Sequence, residues 1–186
     1  MTDKAECFLN DCFENAFVNM GAKIGKNTEV GVCTIIEDDV VIGDNCFIGN
    51  FCHIRTGVRI LEGVEIRDYC YIAQNVVIAK GCKIFQYTNV GMGTLIQRDV
   101  YIGAKVMITN TNKIAHKRDY EPEVTPCMIM RGARIASGAK IKPGVLIGGN
   151  SLVGMGAVVT KNVPACSIVM GFPAKVTGTV PMEERI

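Results

Sequence analysis

One stretch of twenty residues, 109–128 (TNTNKIAHKRDYEPEVTPCM), concentrates more reactive side chains than any other part of the chain. It holds His116 together with Lys113, Lys117, Arg118, Asp119 and Tyr120. A histidine in such company can take the proton that an attacking amine or hydroxyl must shed, because imidazole titrates near neutral pH. Its plain alternative is a solvated loop histidine. The other histidine, His53, belongs to a stripe that repeats every eighteen residues: Phe51/His53, Tyr69/Tyr71, Tyr87/Asn89. A ladder of this kind can stack on a nucleotide base, or it can form a contact between subunits, where aromatic residues are enriched.

The elements that must position these residues are visible as a period. From Val18, every sixth residue through Ile108 is Ile or Val, sixteen positions in succession. With 42 Ile and Val in 186 residues, chance yields such a run with a probability on the order of 10⁻¹⁰. The register breaks between Ile108 and Ile129 and resumes through Ile135, Ile141, Ile147, Val153 and Val159. Four residues after each aliphatic stands a small or β-branched residue, among them Thr34, Cys46, Cys52, Cys70, Cys82, Ala139 and Ala157. Three residues after it stands Asn, Asp or Gly in many hexads, as at Asn27, Asp39, Asn45, Gly57 and Gly81, the types that tolerate tight left-handed turns.

A period of six suits neither a helix nor an isolated strand pair. It suits short strands joined by turns, with three hexads to each triangular coil of eighteen residues. The sequence therefore predicts an all-β parallel β-helix of about seven coils. The coil is expected over 18–108 and 129–162, with 109–128 extruded from it. A tail, 163–186, follows Pro164 and Pro173, and residues 1–17 are expected to cap the open end of the prism.

Composition narrows the function classes. A net charge of +2 and 48% apolar residues exclude a disordered chain and argue against a general nucleic-acid binder. The charge is unevenly placed: residues 105–186 carry a net +6, a plausible seat for an anionic ligand or a solvated basic face. Nine cysteines, an odd number without a CxxC pair, read as reduced thiols in the cytoplasm. Residues 143–160 are uncharged and long enough to cross a bilayer, yet the repeat accounts for them, so no membrane span is expected.

The hexad pattern resembles that of the hexapeptide-repeat acyltransferases, over nearly the whole chain from about residue 18. The resemblance implies a left-handed β-helix, a homotrimer with active sites between subunits, and acetyl-CoA as co-substrate without a metal. The loop would reach such a shared site. Within that family the chain resembles the N-acetyltransferases of nucleotide-linked 3-amino sugars, which serve surface-polysaccharide synthesis. Ile108-Thr109-Asn110 opens the loop as in that group, Arg131-Gly132-Ala133 resumes the coil, and Val163-Pro164 through Val169, Gly171, Pro173 and Ala174 closes it. Lys113-Ile114-Ala115-His116 stands where the group tends to have Asn-Pro-Arg.

On this resemblance Asn110 would hold the acceptor or polarise the thioester. Its alternative is an Asn that starts a loop by bonding its own backbone. His116 would be a base. Tyr87, Asn89 and His53 would meet the acceptor, although His53 should sit three coils, about 14 Å, below Asn110. Ala139 and Ala157 would let the pantetheine arm approach the backbone. Lys161, in a Val158-Val159-Thr160-Lys161 run like the family's, and Arg131 would meet the phosphates of CoA.

The implied activity is acetyl transfer from acetyl-CoA to the amine of a nucleotide-linked amino sugar. O-acetylation of a sugar or small alcohol through a loop histidine is the alternative, and a non-catalytic scaffold is a third. The zinc hydratases built on the same coil need three histidines, and this chain has two.

Overall fold

The structure, a computed structural model, describes residues 15–186. Each hexad contributes a strand of two residues, the first facing out and the second in. In Ile35–Ile36 the outer residue is 41% exposed and the inner 1%. The turn that follows passes through the left-handed region, with φ near +54° at Asp39, +55° at Asn45 and +76° at Gly57. That is the conformation Asn, Asp and Gly adopt at least cost. Two residues of strand and one such corner turn the chain by a third of a circle.

Three parallel sheets result. The first face stacks Phe17–Val18, Ile35–Ile36, His53–Ile54, Tyr71–Ile72, Asn89–Val90, Met107–Ile108, Lys140–Ile141 and Val158–Val159. The second runs from Lys23–Ile24 to Leu146–Ile147, and the third from Glu29–Val30 to Leu152–Val153. Neighbouring rungs are in register eighteen residues apart, as in Tyr71↔Asn89. Across the break the register step widens, with Met107 opposite Lys140 and Leu95 opposite Met128. The coil is left-handed and has about eight turns, one more than the hexad arithmetic gives. Its eight first-face rungs span about 34 Å.

The interior is a column of isoleucines, with Ile36 through Ile108 almost wholly buried. The small inward positions do more than fill space. Thr34 Oγ1 donates to the carbonyl of Gly49 at 2.7 Å, and Thr88 to that of Gly103 at 3.0 Å, each fifteen residues on. The thiols of Cys46, Cys52, Cys70 and Cys82 donate in the same way to Leu61, Arg67, Phe85 and Gln97. Cys127 donates to Lys142 at 3.2 Å and is fully buried. Five cysteines rather than four thus occupy the slot, and the chain has rejoined the coil by residue 127. The described cysteines are free thiols.

Pro164 does not stop the ladder. Val163 still bridges Ile147, and Ser167–Gly171 lies parallel to Leu152–Val153 as a further rung. Ala174–Thr179 then returns antiparallel to it. The last residues fold back on the coil: Glu184 meets Arg134 at 2.7 Å, and the Ile186 amide meets Asn150 Oδ1 at 3.0 Å. Of the expected cap, the first fourteen residues lie outside the described chain. No helix among the described residues is long and apolar enough to cross a membrane.

Candidate active site

The segment that interrupts the coil is an antiparallel hairpin rather than an irregular loop. Thr111–Lys113 pairs with Glu123–Val124, and Lys113 Nζ lies 3.6 Å from a Glu123 carboxylate oxygen. At the hairpin's foot the Thr125 amide donates to the Asn110 carbonyl at 2.7 Å, and Thr109 Oγ1 donates to the Ile141 carbonyl at 2.7 Å. Thr125 and Pro126 pack where Gly144 and Gly93 leave room, since a Cβ on either glycine would come within 2.8 Å of them. The foot is fixed to the coil on three rungs. The tip, where Arg118 N–H closes a turn onto the Ala115 carbonyl, is exposed.

Asn110 stands at that foot, on the corner between the first and second faces. Its side chain rests on Gly91 one rung below: a Cβ on Gly91 would lie 2.9 Å from Asn110 Oδ1. Among the described residues the Asn110 amide side chain makes no hydrogen bond, so it is not used up by its own backbone. Asn89 shares the rung of Gly91 and faces out from the middle of the first face, half-buried. Lys140 is the rung neighbour of Met107 above it, and Lys142 follows on the same strand edge. Neither lysine forms an ion pair among the described residues. Two neutral amides and two cations therefore frame one outward surface, a setting suited to an acceptor with polar groups and to anionic charge developing beside it.

His116 sits at the hairpin tip, exposed, and only its backbone carbonyl is engaged, by Arg118 Nη1 at 3.4 Å. Nothing among the described residues orients its ring.

His53 is different. It lies on the first face three rungs below Met107, as the spacing predicts. Its Nε2 is 2.8 Å from Glu37 Oε1, and its ring meets Tyr71 edge-on at 5.6 Å. Glu37 is a hub. Oε1 also takes the Arg55 guanidinium at 2.5 Å, and Oε2 accepts from the Thr56 amide at 2.9 Å and from its hydroxyl at 2.8 Å. Arg55 Nη1 donates on to Tyr71 Oη at 2.8 Å. Burial pushes the Glu37 carboxyl upward, but the donors from Arg55, Thr56 and His53 outweigh it and hold the group at about 2. With Nε2 engaged by the carboxylate, Nδ1 makes no hydrogen bond among the described residues. Sequence reading singles out His53 but not Glu37, Arg55 or Thr56. The signal for Glu37 is a carboxylate sixteen residues before the histidine, one rung less two; Arg55 and Thr56 lie two and three residues after it.

The aromatic stripe separates into two columns. His53, Tyr71 and Asn89 lie on the first face, while Phe51, Tyr69 and Tyr87 form a vertical stack on its corner with the third face. Those rings are 5.0 and 4.9 Å apart and within 4° of parallel.

The residues expected for the acyl donor do not share one edge. Ala139 and Ala157 stack in adjacent rungs and point inward, with carbonyls that accept from Met107 and Lys140. The corner beside them is bare: a Cβ on Gly156 would meet nothing within 4 Å. Lys161 is exposed on the corner of Asn110. Arg131 lies on the next corner, 3.8 Å from Asp99. Among the described residues no three metal-ligating side chains cluster.

Comparison with known proteins places these features. A family model described as the GMPPB C-terminal domain matches residues 12–121, well over half of the chain. A model described as the hexapeptide repeat of succinyl-transferase matches residues 131–161. Serine acetyltransferase of Buchnera aphidicola is 34% identical over 91 residues, 49% of this chain and 31% of that protein. The 2,3,4,5-tetrahydropyridine-2,6-dicarboxylate N-acetyltransferase of Clostridium perfringens is 44% identical over 59 residues, 32% of this chain and 25% of that protein. These matches span less than a third of the relatives' own length. In fold, the UDP-N-acetylglucosamine acyltransferase from Campylobacter jejuni superposes with a TM-score of 0.60 at 15% identity, covering 89% of this chain and 73% of that one. The first match runs through the tip of the hairpin and the second begins after it, both on the coil built here from sixfold anchors: the chain belongs to the GMPPB C-terminal domain family, and its later coils match the hexapeptide repeat of succinyl-transferase.

Proposed function

We propose that the chain transfers the acetyl group of acetyl-CoA to the amine of a nucleotide-linked amino sugar, at sites shared between the subunits of a homotrimer. The observation that carries this reading is the unengaged amide of Asn110, seated on Gly91 beneath unpaired lysines at the foot of a clamped hairpin. The relatives named as acetyltransferases support acetyl transfer, and the acyltransferase of like fold named for a UDP-sugar supports the acceptor class. The second face supports the trimer, since Leu61, Leu95 and Met128 lie exposed along it.

In the reaction the amine nitrogen attacks the thioester carbonyl, the C–N bond forms, and the carbonyl oxygen becomes an oxyanion. The Asn110 amide N–H donates to that oxygen or holds the amine in line. Collapse breaks the C–S bond and releases CoA thiolate, which takes the proton the nitrogen gives up. No strong protein base is needed, in keeping with an unoriented His116. Lys161 would receive phosphates of CoA across the first face from the bare corner at Gly138 and Gly156, where the pantetheine arm has access to backbone beside Ala139 and Ala157; Arg131, on the far corner beside Asp99, would meet such phosphates only from a neighbouring subunit.

A second reading rests on a specific contact. A hydroxyl acceptor needs a base, and His53, held by Glu37 with Nδ1 free, is better prepared for it than His116. Incubating UDP-, dTDP- and GDP-linked amino sugars with acetyl-CoA while following thiol release tests the first reading. Turnover of an amino sugar with formation of an amide is expected. Turnover of hydroxyl acceptors alone would overturn it in favour of the second.

A further inference from the structure

The structure holds a surface that could measure a nucleotide. We propose that the first face between Tyr87 and Asn110 is a ruler for a nucleoside diphosphate: the base stacks on the upper ring face of Tyr87, the phosphates lie beside Lys105 and Asn89, and the attached sugar reaches Asn110. This rests on the reading of the acceptor as nucleotide-linked and adds to it where each part of that acceptor sits.

Phe51, Tyr69 and Tyr87 have φ of +55°, +59° and +61°. Bulky side chains are genuine outliers in the left-handed region, and such strain persists where something else depends on it. Elsewhere on this corner Cys33 and Lys105 are left-handed too, and Gly138 and Gly156 adopt the conformation freely; what sets 51, 69 and 87 apart is that all three carry rings. Stacking of the three rings offsets part of the strain, but about half of each ring remains exposed, so burial alone does not account for them.

Tyr87 is the topmost ring and the most exposed, at 54%. Among the described residues no ring or guanidinium covers its upper face. The corner continues upward as Lys105, Gly138 and Gly156. A Cβ on Gly138 would approach nothing but the backbone of Gly156, at 3.9 Å, and one on Gly156 would meet nothing. A planar base therefore has a ring to lie on, with the flexible Lys105 as the one side chain on the corner between that ring and the bare glycines. Lys105 forms no ion pair among the described residues and is the nearest cation along the corner for a phosphate.

Tyr87 and Gly91 bracket one rung, and four residues of extended chain span at most about 13 Å. Gly91 touches Asn110. A ribosyl diphosphate bridges a gap of that size, and Asn89 stands midway with a side chain that makes no hydrogen bond among the described residues.

Calorimetry with UDP, dTDP and GDP tests the placement directly, because these ligands carry no sugar. Binding that competes with the acceptor is expected. Tyr87→Ala should weaken it at least tenfold and Tyr87→Phe by less than threefold. Lys105→Ala should weaken the diphosphates more than the bare nucleosides. Phe51→Ala, at the far end of the same stack, should leave binding unchanged. Equal affinity in wild type and Tyr87→Ala would overturn the proposal. So would equal losses in Phe51→Ala and Tyr87→Ala accompanied by a smaller assembly in sedimentation, which would make the stack a contact between copies. If nucleotide-linked sugars turn over with unchanged KM in Tyr87→Ala, the placement fails and the acceptor reading stands. If no nucleotide binds and free amino sugars turn over, the acceptor reading itself fails.

Discussion

Glu37 and His53, sixteen residues apart in sequence, face each other on adjacent rungs with Oε1 and Nε2 separated by 2.8 Å. The pair exists because one rung is eighteen residues and a side chain just after its strand can lean back over the rung above. Its consequence for stability has a definite sign. The folded Glu37 carboxyl is held at about 2, below its ordinary 4.5, so the ionised form is favoured by folding. That contribution is complete above about pH 4.5 and is lost as pH falls towards 2. Glu37→Gln should therefore cost about 1 kcal/mol at neutral pH and almost nothing near pH 2. Thermal melts of both proteins across that range check it, and a constant difference at every pH would contradict it.

Asn110 and His116 separate the two acceptor chemistries. Asn110→Ala should lower kcat on an amine acceptor by about 10²-fold, the loss typical of one donor to a developing oxyanion. The melting temperature should stay within a degree or two, because the side chain bonds nothing in the fold. His116→Ala should leave amine acetylation near normal. On a hydroxyl acceptor His53→Gln should be the more damaging of the two histidine changes, by about 10²-fold or more. Steady-state rates with matched amino and hydroxy sugars decide the matter.

The fold was almost fully legible in the Ile/Val period, because a buried face must repeat wherever the same coil repeats. Position within the hexad also told which residues point inward. What the period could not carry is anything that depends on excursions from it. The hairpin at 111–124 has no sixfold signal, so its pairing and the exposed place of His116 are invisible beforehand. Cys127 was recoverable, since it stands two residues before Ile129, where every hexad has its small residue. The split of Phe51/His53 into a corner column and a face column follows from a single left-handed residue, which aromatic side chains do not advertise. The Glu37 hub escaped because most of its contacts join residues sixteen or nineteen apart, spacings set by side chains leaning across a rung rather than by the hexad.

The inward slot offers a comparison of packing with hydrogen bonding. Cys82→Thr keeps a donor for the Gln97 carbonyl, as Thr88 does for Gly103, and should change stability by less than about 1 kcal/mol. Cys82→Val is somewhat larger, a size the slot already takes at Val64 and Val100, and loses the donor, at about 1 kcal/mol, because a thiol is a weak donor. Ile84→Ala, on the next inward position, should cost about 2–5 kcal/mol by opening a cavity in a column that cannot collapse. Denaturant titration ranks the three. A Cys82→Val loss as large as that of Ile84→Ala would mean that the bond, not the packing, holds the slot.

Gly91 provides the sharpest test of the site, because the coil supplies its own control. One rung below, in the same column, stands Ala73, buried and accommodated without strain, so a Cβ is compatible with this position of the coil. At Gly91 a Cβ would lie 2.8 Å from the Ile108 carbonyl oxygen and 2.9 Å from Asn110 Oδ1. The amide is the softer neighbour, since it makes no bond that holds it. Gly91→Ala should leave the protein folded but destabilised by about 1–3 kcal/mol, since the Ile108 carbonyl must shift as well, with Asn110 turned off its seat. If that seat orients the reaction, kcat falls by about 10²-fold, KM changes little, and Asn110→Ala adds no further loss on top. Additive losses in the double variant would mean that Gly91 serves the coil and Asn110 acts from some other position.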